Sequence, residues 1–151
     1  MLNEFRQDLV SGRWTLFSTG RAKRPDAPEK EKKKEKFYQP KEGCPFEDPV
    51  QAGNEVLLVY NQGQPIDPAN YKEGWTTMVI KNKYPALRDG LCGPLREYGP
   101  FKVADGNGFH EIVITRDHER NFIHFTTEET VEVLKIYKKR YIGISQNECG
   151  D

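Results

Sequence analysis

Cysteine is scarce in this chain and odd in number. Cys44, Cys92 and Cys149 stand far apart, so no disulfide framework is expected and a reducing cytoplasm is the expected compartment. Long apolar runs are missing as well: nothing approaches the roughly 18 residues that a membrane-spanning helix requires. The first residues, Met1-Leu2-Asn3-Glu4-Phe5, show no basic stretch followed by an apolar one, and no secretory signal is expected. Net charge is absent, with 23 Lys and Arg against 23 Asp and Glu. That balance argues against a nucleic-acid partner held by a broad basic surface. Histidine is sparse: His110, His118 and His124 form no His-x-His pair. No Gly-x-x-x-x-Gly-Lys loop occurs. Gly106-Asn107-Gly108 precedes a strand pattern rather than a helix, so it is not a dinucleotide fingerprint.

What is present fits one domain of 151 residues, long enough to bury a core. Arg13 to Ser18 reads as a strand, punctuated by Gly12 and Gly20. Val56-Leu57-Leu58-Val59-Tyr60 and Trp75 to Asn82 read as buried strands rich in β-branched residues, the second stopped by Pro85. His110 to Thr115 reads as a further strand. The Gly- and Pro-containing stretch from Leu91 to Asn107 reads as a long loop. Between Asp26 and Lys41 the composition turns to alternating Glu and Lys with no apolar face, which reads as an exposed charged loop or as a tether for an anionic partner. A helix starts near Thr126, where Thr126 and Glu129 have capping-box spacing. Thr130, Val133, Leu134, Tyr137 and Tyr141 fall on one face, which is the expected core face. Several strands followed by a helix give an α+β class with a largely antiparallel sheet.

The chemistry-bearing residues lie on this frame. Arg21 and Arg24 follow a strand end at a spacing of three and are closed by Pro25. Guanidinium forks match phosphate oxygens bidentately and stay charged at any working pH, although two such arginines also suit a solvated surface. Asn82, between a strand and a Tyr-Pro turn, can satisfy local backbone or read a nucleobase edge or sugar hydroxyl. Cys44-Pro45-Phe46-Glu47 has half of a metal knuckle: a second thiolate three residues on would let two sulfurs share one zinc, but Glu47 stands there. A free, partly buried cysteine is the plainer reading of Cys44. His118, in a polar turn after a strand, is a candidate ligand.

Taken in order, Gly12-Arg13-Trp14, Arg21-Ala22-Lys23-Arg24-Pro25, Cys44-Pro45-Phe46, Asn82-Lys83-Tyr84-Pro85-Ala86-Leu87 and His110-Glu111-Ile112-Val113-Ile114 resemble the galactose-1-phosphate uridylyltransferases, a branch of the histidine-triad superfamily. The resemblance extends through Asp117-His118 and the helix from Thr126. It implies an α+β half-barrel of the histidine-triad type and transfer of a uridylyl group between UDP-glucose and a hexose 1-phosphate through a uridylyl-histidine. It implies that Arg21 and Arg24 approach the phosphates of the UDP-sugar, that Asn82 lies at the uridine end, and that Cys44 and His118 are two ligands of a structural zinc. A homodimer is a further expectation.

The departures from that family shape the expectation. Glu47 replaces the second knuckle cysteine, so the zinc site is altered or lost, and Lys83 stands where many members carry an acid. The nucleophile of the family sits in a His-Pro-His motif on a strand after the helix, which this sequence does not contain. The chain is thus expected to be the N-terminal part of such an enzyme, with an open sheet edge where that strand would pair. Two alternatives stand beside this: a non-catalytic nucleotide-sugar-binding module, and an adenylyl-transferring or phosphorylase relative.

Overall fold

A computed structural model describes residues 3–23, 41–90 and 93–146. The expected charged loop, apart from Lys41, lies outside them, as do Arg24, Cys92 and Cys149. Among the described residues, eight strands and one long helix follow each other. They are β1 (Asn3–Gln7), β2 (Trp14–Ser18), β3 (Val56–Asn61), β4 (Gln64–Ile66), β5 (Thr77–Lys81), β6 (Arg96–Tyr98), β7 (Phe101–Asp105), β8 (Glu111–Thr115) and α1 (Thr127–Ser145). The class is α+β, with all strand pairs antiparallel. Among the described residues no helix is long and apolar enough to cross a membrane.

The chain divides into two compact units. The first comprises residues 1–31, 84–110 and 143–151. Its sheet has the order β2-β1-β7-β6. The β1–β2 turn is built by Asp8, whose Oδ1 accepts from the Ser11 amide and hydroxyl, each at 2.7 Å, while Gly12 takes φ +70°, a conformation glycine adopts without steric cost. The β6–β7 hairpin replaces the long loop expected between Leu91 and Asn107. Gly99 and Pro100 mark its turn rather than an irregular connection, and the short strands on either side carry too little alternation to announce themselves.

The second unit comprises residues 32–83 and 111–142, with sheet order β4-β3-β5-β8. Its inner strand β5 is buried on both faces, which is why its middle, Met78-Val79-Ile80, is apolar without alternation. Met78 and Ile80 pack with Val59, Trp75 and Ile114 on one side. Val79 packs with Tyr60 and Ile136 on the other, and Ile136 brings α1 onto that face.

The capping box at the start of α1 forms as the spacing predicts. Thr126 Oγ1 accepts from the Glu129 amide at 3.2 Å, and Glu129 Oε2 accepts from the Thr126 amide at 2.8 Å. The buried face differs from the expected one. Val133 and Ile136 are buried, whereas Leu134, Tyr137 and Tyr141 are 54%, 52% and 73% exposed. Two apolar stripes compete on this helix, and polar anchors on the sheet select between them. Glu132 Oε1 accepts from Thr76 and Thr77 hydroxyls, both at 2.8 Å. Arg140 Nε donates to Glu111 Oε2 at 2.7 Å. Residues 132, 133, 136 and 140 share one face, and that face is turned to the sheet.

Candidate functional site

Arg21 sits in the first unit, in a 3-10 turn, Thr19–Lys23, directly after β2. Its side chain is half-buried. The same unit carries His110, whose Nδ1 accepts the Ala86 amide proton at 2.9 Å. Burial, and then the Arg21 guanidinium, hold the His110 imidazolium below its ordinary value, because a desolvated cation next to another cation is disfavoured. The sequence had marked His110 only as a strand-end residue. Its neighbourhood with Arg21 arises from the sheet order, which no local pattern announces.

Asn82 follows β5 in the second unit and is half-buried. Its neighbour Lys83 donates from Nζ to the Ala52 carbonyl at 3.0 Å. This lysine therefore ties down the 49–53 turn, a structural use for a residue that departs from the acid common at this place.

The knuckle and the histidine turn do come together within the second unit. Glu47 Oε1 lies 2.9 Å from His118 Nδ1. Arg116 Nη1 donates to the Glu47 carbonyl at 2.7 Å and lies 3.7 Å from its Oε2. Arg116 is also stacked on Trp75, 5.2 Å from the ring centroid. Cys44 is a free, half-buried cysteine whose carbonyl accepts from the Glu47 amide at 3.2 Å. Cys44 and His118 line one groove of 530 Å³ together with Phe46, Thr115 and His124. Among the described residues no three His, Cys, Asp or Glu side chains gather closely enough to hold a metal, and the carboxylate that replaces the second thiolate is engaged by His118. His124 caps its own turn: its Nδ1 accepts from the Asn121 amide at 3.4 Å.

A second cavity of 280 Å³ in this unit is lined by Thr76, Arg116, Asp117, Arg120 and Glu132. Arg120 is its centre. Its guanidinium bonds both Asp117 and Glu129, meeting Glu129 at 2.7 and 3.0 Å. The Arg120 hydrogen bonds hold the Asp117 carboxyl down to about 2. Held by both carboxylates, this arginine braces the β8 turn against the helix start.

No family profile matches the chain, and no solved structure matches it either. The chain is 32% identical to the ADP-glucose phosphorylase of Arabidopsis thaliana over 151 residues, 96% of this chain and 40% of that protein. It thus spans about two fifths of the length of that curated relative. Over nearly all its residues the chain is similar to that protein.

Proposed function

We propose that this chain is the phosphate-holding part of a nucleotide-sugar phosphorylase, an enzyme that moves a nucleotidyl group from a nucleoside diphosphate sugar to inorganic phosphate. The similarity to ADP-glucose phosphorylase carries this reading. In such a reaction a new oxygen–phosphorus bond forms at the α-phosphorus, the bond from that phosphorus to the bridging oxygen breaks, and the sugar 1-phosphate departs. Negative charge sits on the non-bridging oxygens throughout, and fixed cations stabilise it. Arg21 and Arg24 are the residues of this chain suited to that work, and Asn82 is the residue suited to the nucleoside. The three histidines, His110, His118 and His124, form no His-x-His pair.

A second reading keeps the transfer and changes the acceptor: uridylyl transfer from UDP-glucose to a hexose 1-phosphate in galactose metabolism. The order of the motifs from Gly12-Arg13-Trp14 to His110-Glu111 favours it. In both readings the expected setting is cytoplasmic, with a homodimer as the expected assembly.

The test is turnover followed by phosphorus NMR. The 151-residue chain, and the same chain extended by a segment bearing His-Pro-His, are each mixed with ADP-glucose and phosphate, or with UDP-glucose and galactose 1-phosphate. Release of glucose 1-phosphate by the extended protein alone, from ADP-glucose, is the expected result. Release from UDP-glucose alone would favour the second reading. Release from neither would remove both.

A further inference from the structure

A cleft of 210 Å³ in the second unit lies between the β3–β4 hairpin and α1. Gly63 and Pro65 line it from the hairpin and Lys135 and Lys139 from the helix, while Tyr60, Ile136 and Glu132 complete the lining.

One hydroxyl fixes the two walls. The Gln62 amide donates to Thr76 Oγ1 at 2.9 Å, and Thr76 Oγ1 donates to Glu132 Oε1 at 2.8 Å. The Thr76 amide also donates to the Tyr60 carbonyl at 2.8 Å. The hairpin turn, the chain entering β5 and α1 are thereby tied at a single point. Gln62 takes φ +46° and Gly63 φ +78°. A two-residue turn of this hand matches the strand twist, but glutamine is an uncommon occupant of a positive φ. The bond to Thr76 holds it there.

The charges in the cleft are unbalanced. Lys135 and Lys139 stand four residues apart on one helix face, where like charges repel. Neither has a carboxylate partner among the described residues. Lys139 Nζ lies 5.6 Å from the centroid of the Tyr60 ring, a contact that favours the ammonium over an aromatic lining the cleft. The carboxylate in the lining is already engaged: Glu132 Oε1 accepts from the Thr76 and Thr77 hydroxyls, both at 2.8 Å. Two ammonium groups against one hydroxyl-held carboxylate leave the cleft positive. The Tyr60 hydroxyl is itself buried, so this residue gives the cleft its ring and not a donor.

We propose that this cleft binds a phosphate group, free or carried on a small ester, between the ammonium groups of Lys135 and Lys139. Side chains four residues apart on a helix start about 5–6 Å from each other, so both ammonium groups can reach oxygens of one tetrahedral anion. A dianion answers both cations at once, and ammonium groups serve phosphate as point charges. The volume lies below the roughly 300 Å³ at which cavities for drug-sized ligands begin, which selects a small ligand over a whole nucleotide sugar. The site uses none of the residues of the nucleotide-sugar reading and goes beyond it.

Wild type, Lys135→Gln/Lys139→Gln and Arg21→Ala/Arg24→Ala are titrated at pH 7.5 with inorganic phosphate and with glucose 1-phosphate. The backbone amide signals of Gly63, Lys135 and Lys139 are followed in nitrogen-15 spectra, with sodium chloride as the control and thermal melts alongside. The expected result is saturable movement of these signals in wild type and in the arginine variant. Binding in the lysine variant is expected to be weaker by on the order of tenfold or more, and chloride is expected to give no saturation. Tighter binding of glucose 1-phosphate would identify an ester as the source of the phosphate, and equal binding the free ion. Signals that stay still with both ligands, or saturate equally in the lysine variant, overturn the proposal. The nucleotide-sugar reading would survive that result, because ADP-glucose binding through Arg21 and Arg24 decides it separately. Should the lysine variant fail to fold, wild type decides: phosphate-induced shifts no larger than those from chloride overturn the proposal.

Discussion

Glu47 holds His118, carboxylate to imidazole Nδ1 at 2.9 Å, and so fastens the turn that begins at Cys44 to the chain leaving β8. At the place of a second knuckle thiolate, this sequence has a carboxylate in direct contact with His118 of the same chain. A chelator is therefore expected to leave the melting temperature of the purified chain unchanged, and metal analysis to find no stoichiometric zinc. Glu47→Cys, which gives Cys44 a partner three residues away beside His118, is expected to take up zinc. One equivalent of zinc in wild type, with melting lowered on its removal, would contradict this account.

The capping box at α1 gives a second expectation. Thr126→Ala removes the hydroxyl that receives the Glu129 amide, and such a loss costs about 1 kcal/mol. Thr126→Asp keeps an acceptor and places a negative charge at the positive end of the helix, so it is expected to retain the stability. Denaturant unfolding of the two variants checks the order; equal losses would show that the cap is not what Thr126 contributes.

The rotation of α1 can be tested directly. Ile136 is 3% exposed and Leu134 is 54% exposed. Ile136→Ala is expected to cost about 2–5 kcal/mol through lost burial and a cavity, and Leu134→Ala about 0.5 kcal/mol or less. The reverse order would mean that the helix packs through its other stripe.

His110 sets a pH dependence. Its folded value lies below its ordinary one through burial and Arg21. Above the unfolded value near 6.5 the ring is neutral in both states and costs nothing. As pH falls below that value the unfolded chain takes up the proton first, so stability declines with falling pH. Melting temperatures between pH 7.5 and 5 are expected to fall more steeply for wild type than for His110→Asn. Parallel curves would remove this coupling.

Much of the fold was legible where one local rule decided the outcome. The β-branched run around Met78 to Ile80 marked a doubly buried strand, and Thr126 with Glu129 marked a helix start. The face of α1 was not legible, because Leu134, Tyr137 and Tyr141 obey helical spacing as well as Val133 and Ile136 do. Long-range anchors, Glu132 on Thr76 and Thr77 and Arg140 on Glu111, break that tie. The short strands β6 and β7 were hidden by glycine and proline that serve a hairpin turn. At the candidate site, Arg21 stood out by composition. The closeness of Arg21 and His110, 89 residues apart in sequence, depends on two strands flanking β1, and pairing across such distances leaves no periodic trace.

The central claim is that this chain holds the phosphates of a nucleotide sugar through its arginines. Calorimetric titration with ADP-glucose, wild type against Arg21→Ala/Arg24→Ala, tests it most directly. The account predicts saturable binding by wild type, tighter for ADP-glucose than for UDP-glucose, and its loss in the double variant while both proteins melt cooperatively. A folded wild type that binds neither nucleotide sugar, or a double variant that binds as well as wild type, would contradict it.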